Sequence, residues 1–203
     1  MSSFSKLMLG IFALTLFVSA TLLFLIEPMV GKMVTPLLGG TPAVWNTCMV
    51  FFQAVLLAGY AYSHATTGWL GVHRQAWLQL AVLAAPFLLF LVFPLTINKN
   101  LVAGSEENPI PALLLLLTLS VGVPFFVVSS SAPLLQKWFA GTDHPAARDP
   151  YFLYGASNLG SMLTLLGYPL VVEPNLTVAA QRITWMIGYG LLVLLTVVCA
   201  VFL

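Results

Sequence analysis

Charged residues are scarce in this sequence, and their scarcity excludes most classes of soluble protein. Only 6% of the 203 residues are Asp, Glu, Lys or Arg, whereas a soluble domain carries about 25%. The net charge of +1 argues against nucleic-acid binding, which requires a concentrated basic face. Hydrophobic residues make up 60% of the chain. This balance predicts an integral membrane protein whose main surroundings are the lipid bilayer.

Residues suited to metal binding or catalysis are also few. Cys48 and Cys199 fall in apolar segments without metal-ligand spacing, which predicts two small buried hydrophobic side chains. None of the three histidines, His64, His73 and His144, is paired at ligand spacing. The sequence contains no glycine-rich phosphate loop after a strand and no nucleophile elbow. We therefore predict no enzymatic activity, no cofactor and no metal site.

Six predominantly apolar segments are long enough to cross a hydrocarbon core of about 30 Å as helices. They are residues 7–26, 43–62, 76–95, a segment from about 111 that is interrupted at Gly122 and Pro124, residues 148–174, and residues 183–203. Segment 29–40 contains Pro36 and a Gly39-Gly40 break, which favour a short or re-entrant helix. A polar loop with His64, His73 and Arg74 is expected between the second and third helices. The main hydrophilic loop is expected at 98–109.

The two halves of the chain share local signals at one constant spacing. Three pairs are separated by 108 residues: Thr41-Pro42 and Asp149-Pro150, Gly59-Tyr60 and Gly167-Tyr168, and Arg74-x-x-Trp77 and Arg182-x-x-Trp185. Pro36-Leu37-Leu38 also resembles Pro133-Leu134-Leu135. We predict one transmembrane domain, 1–203, with repeats at about 7–96 and 110–203. Three helices are an odd number, so the second repeat is inverted: a 3+3 bundle like one half of a major facilitator transporter.

The repeat also predicts two helix starts. Thr41 and Asp149 each precede a proline, and Pro is favoured at the first helical position because it has no N–H to leave unbonded. The Thr and Asp side chains are expected to act as N-caps, accepting hydrogen bonds from backbone N–H groups two or three residues on.

Ionisable side chains at membrane depth cost about 2.5–3.5 kcal/mol on insertion scales, so each requires an explanation. Glu27 and Glu173 each stand before a proline at the end of a predicted helix. They either lie at the interface among lipid headgroups or face a polar cavity. In the second hypothesis, Glu27 pairs with Lys32 across the broken segment after the first helix.

Polar side chains within the second and fifth helices extend this candidate cavity. Asn46 and Gln53 are seven residues apart and share one helix face. Such groups either form hydrogen bonds between helices or line a ligand site. The candidate polar cavity comprises Glu27, Lys32, Asn46, Gln53, Ser157, Asn158 and Glu173.

The distribution of basic residues predicts the orientation of the chain. With the N-terminus in the cytoplasm, four basic residues fall on the cytoplasmic side (Lys6, Arg74, Lys137 and Arg148) and three fall outside (Lys32, Lys99 and Arg182). The larger number inside agrees with the positive-inside rule. Leu203 ends the sequence within an apolar helix, so we expect that the protein continues beyond it.

Two long segments resemble a known family. Residues 27–64 (EPMVGKMVTPLLGGTPAVWNTCMVFFQAVLLAGYAYSH) and 149–174 (DPYFLYGASNLGSMLTLLGYPLVVEP) are similar to the membrane part of bacterial fused proteins. Those proteins join a major-facilitator-like domain to a spermidine-synthase-like domain. The synthase part is absent here, so the resemblance implies no synthase activity. It does imply a multi-pass protein of the bacterial inner membrane.

Two functions from different classes are compatible with these observations. The first is a transporter-like protein that handles a small organic cation related to polyamines. The second is a structural or accessory subunit that is packed into a larger membrane complex. The predicted partners are the lipid bilayer and either other membrane subunits or a second copy of the chain, with no nucleic acid.

Overall fold

A computed structural model describes residues 3–92 and 108–203 of the chain, with the backbone alone described for 88–92. The predicted all-α class is confirmed, since the described residues contain helices and no strand. The helices are α1 (Ser3–Leu38), α2 (Pro42–Val92), α3 (Pro109–Leu117), α4 (Val123–Ala140), α5 (Phe152–Gly167), α6 (Glu173–Asn175) and α7 (Val178–Val201). Two π-helical turns, Thr118–Gly122 and Tyr168–Val172, continue α3 into α4 and α5 into α6.

Four helical stretches in the described ranges are long and apolar enough to cross a membrane. They are Ser3–Leu38, Pro42–Phe87, Pro109–Ala140 and Val178–Val201. The described residues thus have the helices of a multi-pass membrane protein. Residues 93–95 of the predicted third helix lie outside the described residues. The same holds for the predicted loop at 98–109, except for its last two residues, 108 and 109.

The predicted break after the first transmembrane segment is wrong. Helix α1 continues through Pro28 and Pro36 to Leu38. Each proline removes one N–H donor, but a full break in an apolar environment would leave several backbone groups unbonded, at several kcal/mol each. The Thr35 hydroxyl also donates to the Gly31 carbonyl at 2.8 Å. Helix continuity is therefore the less costly arrangement.

The predicted polar loop between the second and third segments is wrong as well. Helix α2 is interrupted only at Gly71, whose φ of 72° and ψ of 168° belong to a region that essentially only glycine adopts. This bend divides α2 into two arms, residues 42–70 and 72–92. Ser63, in the predicted loop, is instead buried in the first arm, where its hydroxyl donates to the Gly59 carbonyl at 2.8 Å.

Prolines explain the two π-helical turns. Pro124 lies two residues after the end of the first turn, and Pro169 lies within the second. A residue without an N–H cannot donate to the carbonyl four residues back, and a wider turn accommodates that missing bond. The predicted interruption at Gly122 and Pro124 is therefore a local widening of a continuous helical rod. The rod after α5 ends at Asn175, close to the predicted end at 174.

Both predicted side-chain contacts are present, but only Thr41 lies at the start of a helix. Thr41 Oγ1 accepts from the Val44 N–H at 3.4 Å, and Asp149 Oδ1 accepts from the Tyr151 N–H at 3.3 Å. The α-helix after Asp149 begins only at Phe152, because the preceding residues form a tighter turn. Pro150 therefore lies in that turn.

A further cap shows that the last helix begins earlier than predicted. Thr177 Oγ1 accepts from the Ala180 N–H at 3.2 Å and starts α7 at Val178. Arg182, expected before the helix, consequently lies within it.

Close packing between distant segments assembles the bundle. Helix α1 packs mainly along α5, and α2 packs mainly along α4. At Gly160 a Cβ atom would lie 2.6 Å from the Phe17 carbonyl oxygen of α1, so only glycine allows this approach. Trp185 of α7 is buried and donates its indole N–H to the Leu22 carbonyl at 2.9 Å.

Candidate functional site

A cavity of about 780 Å³ lies between the end of α1, the beginning of α2 and the end of α5. Its charged side chains are Glu27, Lys32 and Glu173, and we call it the carboxylate cavity. The remaining lining is mainly apolar and aromatic: Pro28, Thr35, Pro36, Trp45, Cys48, Met49, Phe52, Leu165, Tyr168 and Pro169. Ligand sites in proteins commonly have this size and this predominantly apolar lining with a few polar groups.

An ion pair crosses one side of the cavity. Lys32 Nζ lies 3.2 Å from Glu173 Oε1 and thereby connects α1 to α6. The two side chains are 36% and 47% exposed, so solvent screens much of their attraction. The pair therefore connects the two helices but contributes little to the free energy of unfolding.

Glu27 does not form the predicted pair with Lys32. In a continuous helix, residues five apart are rotated by about 140° around the axis, so the expected contact required the break that α1 lacks. Glu27 is half-buried, and it has no ion-pair partner in the part of the chain that the structure describes. Its carboxylate therefore lines the cavity without a neutralising charge.

Two aromatic rings form the cavity wall beside these charges. The Trp45 ring lies so close to Gly31 that a Cβ there would be 2.8 Å from Cη2 of the indole. The Tyr168 hydroxyl donates to Gln181 Oε1 at 3.0 Å, and Gln181 Nε2 donates to the Leu176 carbonyl at 3.0 Å. The Tyr168 ring is thus held by a hydrogen bond, and the Trp45 ring packs against Gly31.

The charge of the lining favours a cation. Two carboxylates and one ammonium leave a net charge of −1, and the faces of Trp and Tyr rings attract cations. Among the described residues, no group of three or more His, Cys, Asp or Glu side chains could hold a metal ion. The carboxylates and the aromatic rings of the lining are groups that can contact a cation.

The other four predicted residues do not line this cavity. Asn46 and Gln53 are exposed on α2, Asn158 is exposed on α5, and Ser157 is half-buried. The structure thus brings Glu27, Lys32 and Glu173 together and leaves the helix amides on the outer surface.

Sequence reasoning did not select Trp45, Tyr168 or Gln181 as site residues. Tyr168 does belong to the repeated Gly-Tyr signal, but that match gives no information on what the ring faces. Trp45 lies in ordinary apolar helix sequence, and Gln181 precedes the predicted sixth segment, so no local pattern distinguishes either residue.

The fold and the cavity define an all-helical protein with several helices of membrane-spanning length and a charged cavity at one end of the bundle. Comparison of the chain with protein-family profiles, curated proteins and solved structures gives no match in any of the three.

Proposed function

We propose that this chain is a transporter-like polytopic membrane protein whose carboxylate cavity binds a small organic cation. The observation that carries the proposal is the carboxylate of Glu27, which has no ion-pair partner in the described residues and lines a cavity with Trp45 and Tyr168. An ammonium group bound there would neutralise the cavity and contact both aromatic faces. The resemblance to proteins with a spermidine-synthase-like domain favours a polyamine-like cation.

The proposal includes six membrane crossings arranged as a 3+3 inverted repeat. The crossings would be α1, the two arms of α2, the α3–α4 rod, the α5–α6 rod and α7. In such a repeat, the first crossing corresponds to the fourth and the second crossing to the fifth. The packing of α1 on α5 then corresponds to the packing of α4 on α2, and these are the two main helix contacts of the bundle. This reciprocity supports a construction like one half of a major facilitator transporter.

The N-terminus is proposed to be cytoplasmic, in a bacterial inner membrane. The His144 ring nitrogen Nε2 lies 3.1 Å from the Ser5 carbonyl oxygen, so the start of α1 and the α4–α5 connection occupy the same end of the bundle. Lys6, Lys137 and Arg148 belong to that end, which is therefore rich in positive charge.

Uptake by reconstituted vesicles tests the cation proposal. Glu27→Gln keeps the shape of the side chain and removes its charge, so uptake of spermidine by proteoliposomes should be abolished. Asp143→Asn is the matched control, because Asp143 is an exposed carboxylate outside this cavity. Uptake by this control should equal that of the wild type.

Circular dichroism and gel filtration would establish that both variants remain folded. Uptake by Glu27→Gln at the wild-type rate would exclude a cation site at Glu27. Absence of uptake by the wild type itself would favour the second function.

An accessory role is favoured by the exposed amides of Asn46, Gln53 and Asn158. Gln53 lies about 17 Å from the start of α2 at 1.5 Å per residue. If α2 crosses the bilayer, this position is within the hydrocarbon core, where lipid offers no hydrogen-bond partner. Polar side chains in such positions commonly bond to a neighbouring helix. A partner subunit, or a second copy of this chain, would supply that helix.

Isolation of the native protein in mild detergent tests this alternative. We expect a stoichiometric assembly for the wild type and dissociation for Gln53→Leu, while Leu194→Ala, exposed on α7, should leave the assembly intact. A wild-type protein that runs as a single chain would contradict the accessory role.

A further inference from the structure

A second cavity, of about 430 Å³, lies at the opposite end of the bundle. It is formed by the later part of the first α2 arm, the end of α4 and the start of α5. We call it the lysine cavity, and its lining is Tyr60, Ser63, His64, Thr67, Pro133, Gln136, Lys137, Ala140, Pro150, Tyr151 and Tyr154.

The internal repeat relates the two cavities. Tyr60 lines the lysine cavity, and Tyr168, its counterpart at a spacing of 108 residues, lines the carboxylate cavity. Pro133 and Pro36, which begin the matching Pro-Leu-Leu signals, also lie one in each lining. The two ends of the bundle thus carry cavities built from corresponding positions.

The charge of the two linings is opposite. Lys137 is the charged residue of the lysine cavity, whose lining contains no Asp or Glu. Among the described residues, Lys137 has no carboxylate within ion-pair distance. A bound anion would therefore meet an ammonium group that no acidic side chain already neutralises.

Several neutral donors surround this ammonium group. Tyr60, Tyr151 and Tyr154 line the cavity, and none of their hydroxyls has a hydrogen-bond partner within the described ranges. The Ser63 hydroxyl, in contrast, already has two carbonyl oxygens within hydrogen-bond distance, that of Gly59 at 2.8 Å and that of Ser130 at 3.0 Å. The phenols and the ammonium group thus supply free donors to a ligand that is rich in acceptors.

We propose that the lysine cavity binds a phosphate-type oxyanion, carried either by a lipid headgroup or by a soluble phosphate. Such a group offers several acceptor oxygens and a negative charge, which match three phenol donors and one ammonium group. The volume of the cavity lies within the usual range for small-ligand sites. The inference does not depend on cation transport, because it rests on different residues at the other end of the bundle.

Thermal unfolding of the purified full chain in a nonionic detergent tests this site, because a ligand that binds only the folded state raises the unfolding midpoint. The probes are inorganic phosphate and short-chain phosphatidylglycerol, each compared with potassium chloride at equal ionic strength. We expect at least one probe to raise the midpoint. Lys137→Gln should weaken its apparent affinity about tenfold, and Tyr154→Phe about fivefold, as expected for a charged and a neutral hydrogen bond.

Arg74→Gln is the matched control. Arg74 is an exposed cation of the same end of the bundle and does not line the cavity, so its replacement should leave the affinity unchanged. Lys137 is also exposed, and circular dichroism would verify that Lys137→Gln folds normally.

The outcomes separate the sources of the phosphate. Protection by phosphatidylglycerol alone identifies a lipid headgroup, and protection by inorganic phosphate alone or by both probes identifies a site open to soluble anions. Equal losses in Lys137→Gln and Arg74→Gln would reveal diffuse attraction to a basic surface and overturn the proposal. Protection no greater than that given by potassium chloride would overturn it as well.

Discussion

Gly160 and Gly155 stand five residues apart on α5, and only Gly160 has a neighbour in the space where a side chain would begin. A Cβ at Gly160 would lie 2.6 Å from the Phe17 carbonyl oxygen, whereas nothing lies within 4 Å of a Cβ at Gly155. Both glycines belong to a run of small residues that indicates helix packing. The sequence pattern does not distinguish them, because it contains no information on which face of α5 meets α1.

Replacing these two glycines should therefore have different effects. We expect Gly160→Ala to lower the free energy of unfolding by about 1–3 kcal/mol, the usual cost of overpacking. Gly155→Ala should be neutral or slightly stabilising, since alanine is the better helix former. Unfolding in detergent, followed by tryptophan fluorescence, measures both changes, and equal effects of the two variants would contradict the α1–α5 contact.

Helix α2 depends on a single residue for its bend. Gly71 lies at φ 72°, and nothing surrounds the position of its missing Cβ. Glycine is therefore required at this position by the backbone conformation and not by a lack of space for a side chain. Gly68, three residues earlier, has equally open surroundings and no positive φ.

Alanine at these two positions should change stability in opposite directions. Gly71→Ala forces a side chain into a strained backbone region and should destabilise the protein by about 1–3 kcal/mol. Gly68→Ala should stabilise it by about 0.5–1 kcal/mol. Gly68 is helical, and alanine there loses less conformational entropy on folding than glycine does. Chemical unfolding in mixed micelles would report both values, and a stabilising Gly71→Ala would contradict the bend.

Helix α1 shows how continuity of an element changes the partners of its side chains. The expected Glu27–Lys32 pair needed a broken segment, but a continuous helix rotates the two residues away from each other. Lys32 then lies 3.2 Å from Glu173. Because Lys32 and Glu173 are partly exposed, we expect that their coupling contributes no more than about 1 kcal/mol.

Across the whole molecule, matching sequence signals do not guarantee matching surroundings. Trp77 and Trp185 occupy corresponding positions in the two Arg-x-x-Trp signals, yet Trp77 is 77% exposed and Trp185 is fully buried. Trp185 packs against α1, which lies at the centre of the bundle and contacts α4, α5 and α7. The surroundings of a repeated residue therefore depend on the neighbours of its helix.

Labelling of introduced cysteines tests the proposed crossings and orientation. Gly40 and Asp143 are exposed and belong to opposite ends of the bundle. We expect a membrane-impermeant maleimide to label Gly40→Cys in spheroplasts, and Asp143→Cys only after the membrane is opened. The native Cys48 and Cys199 are buried and should give little background. Labelling of both variants in intact spheroplasts would contradict the arrangement.

The sequence by itself determined the all-helical class and the membrane character, because apolar content and run length act through composition. It also determined the contacts of Thr41 and Asp149 with nearby backbone N–H groups, because these groups are only two or three residues apart. Asp149, however, bonds within a turn that precedes α5 and does not cap the helix. Proline positions likewise located the disturbance near Pro124, although not its π-helical form.

Only the tertiary structure decided the partner of Lys32, the presence of Trp45 and Tyr168 in one cavity lining, and the difference between Gly155 and Gly160. Each depends on the rotation of one helix against another that is distant in sequence. A shift of one residue turns a side chain by about 100°, so apolar patterns that are hydrophobic on all sides do not fix that rotation. Close packing between the helices does, because a contact such as the one at Gly160 permits only one face of α5 to meet α1.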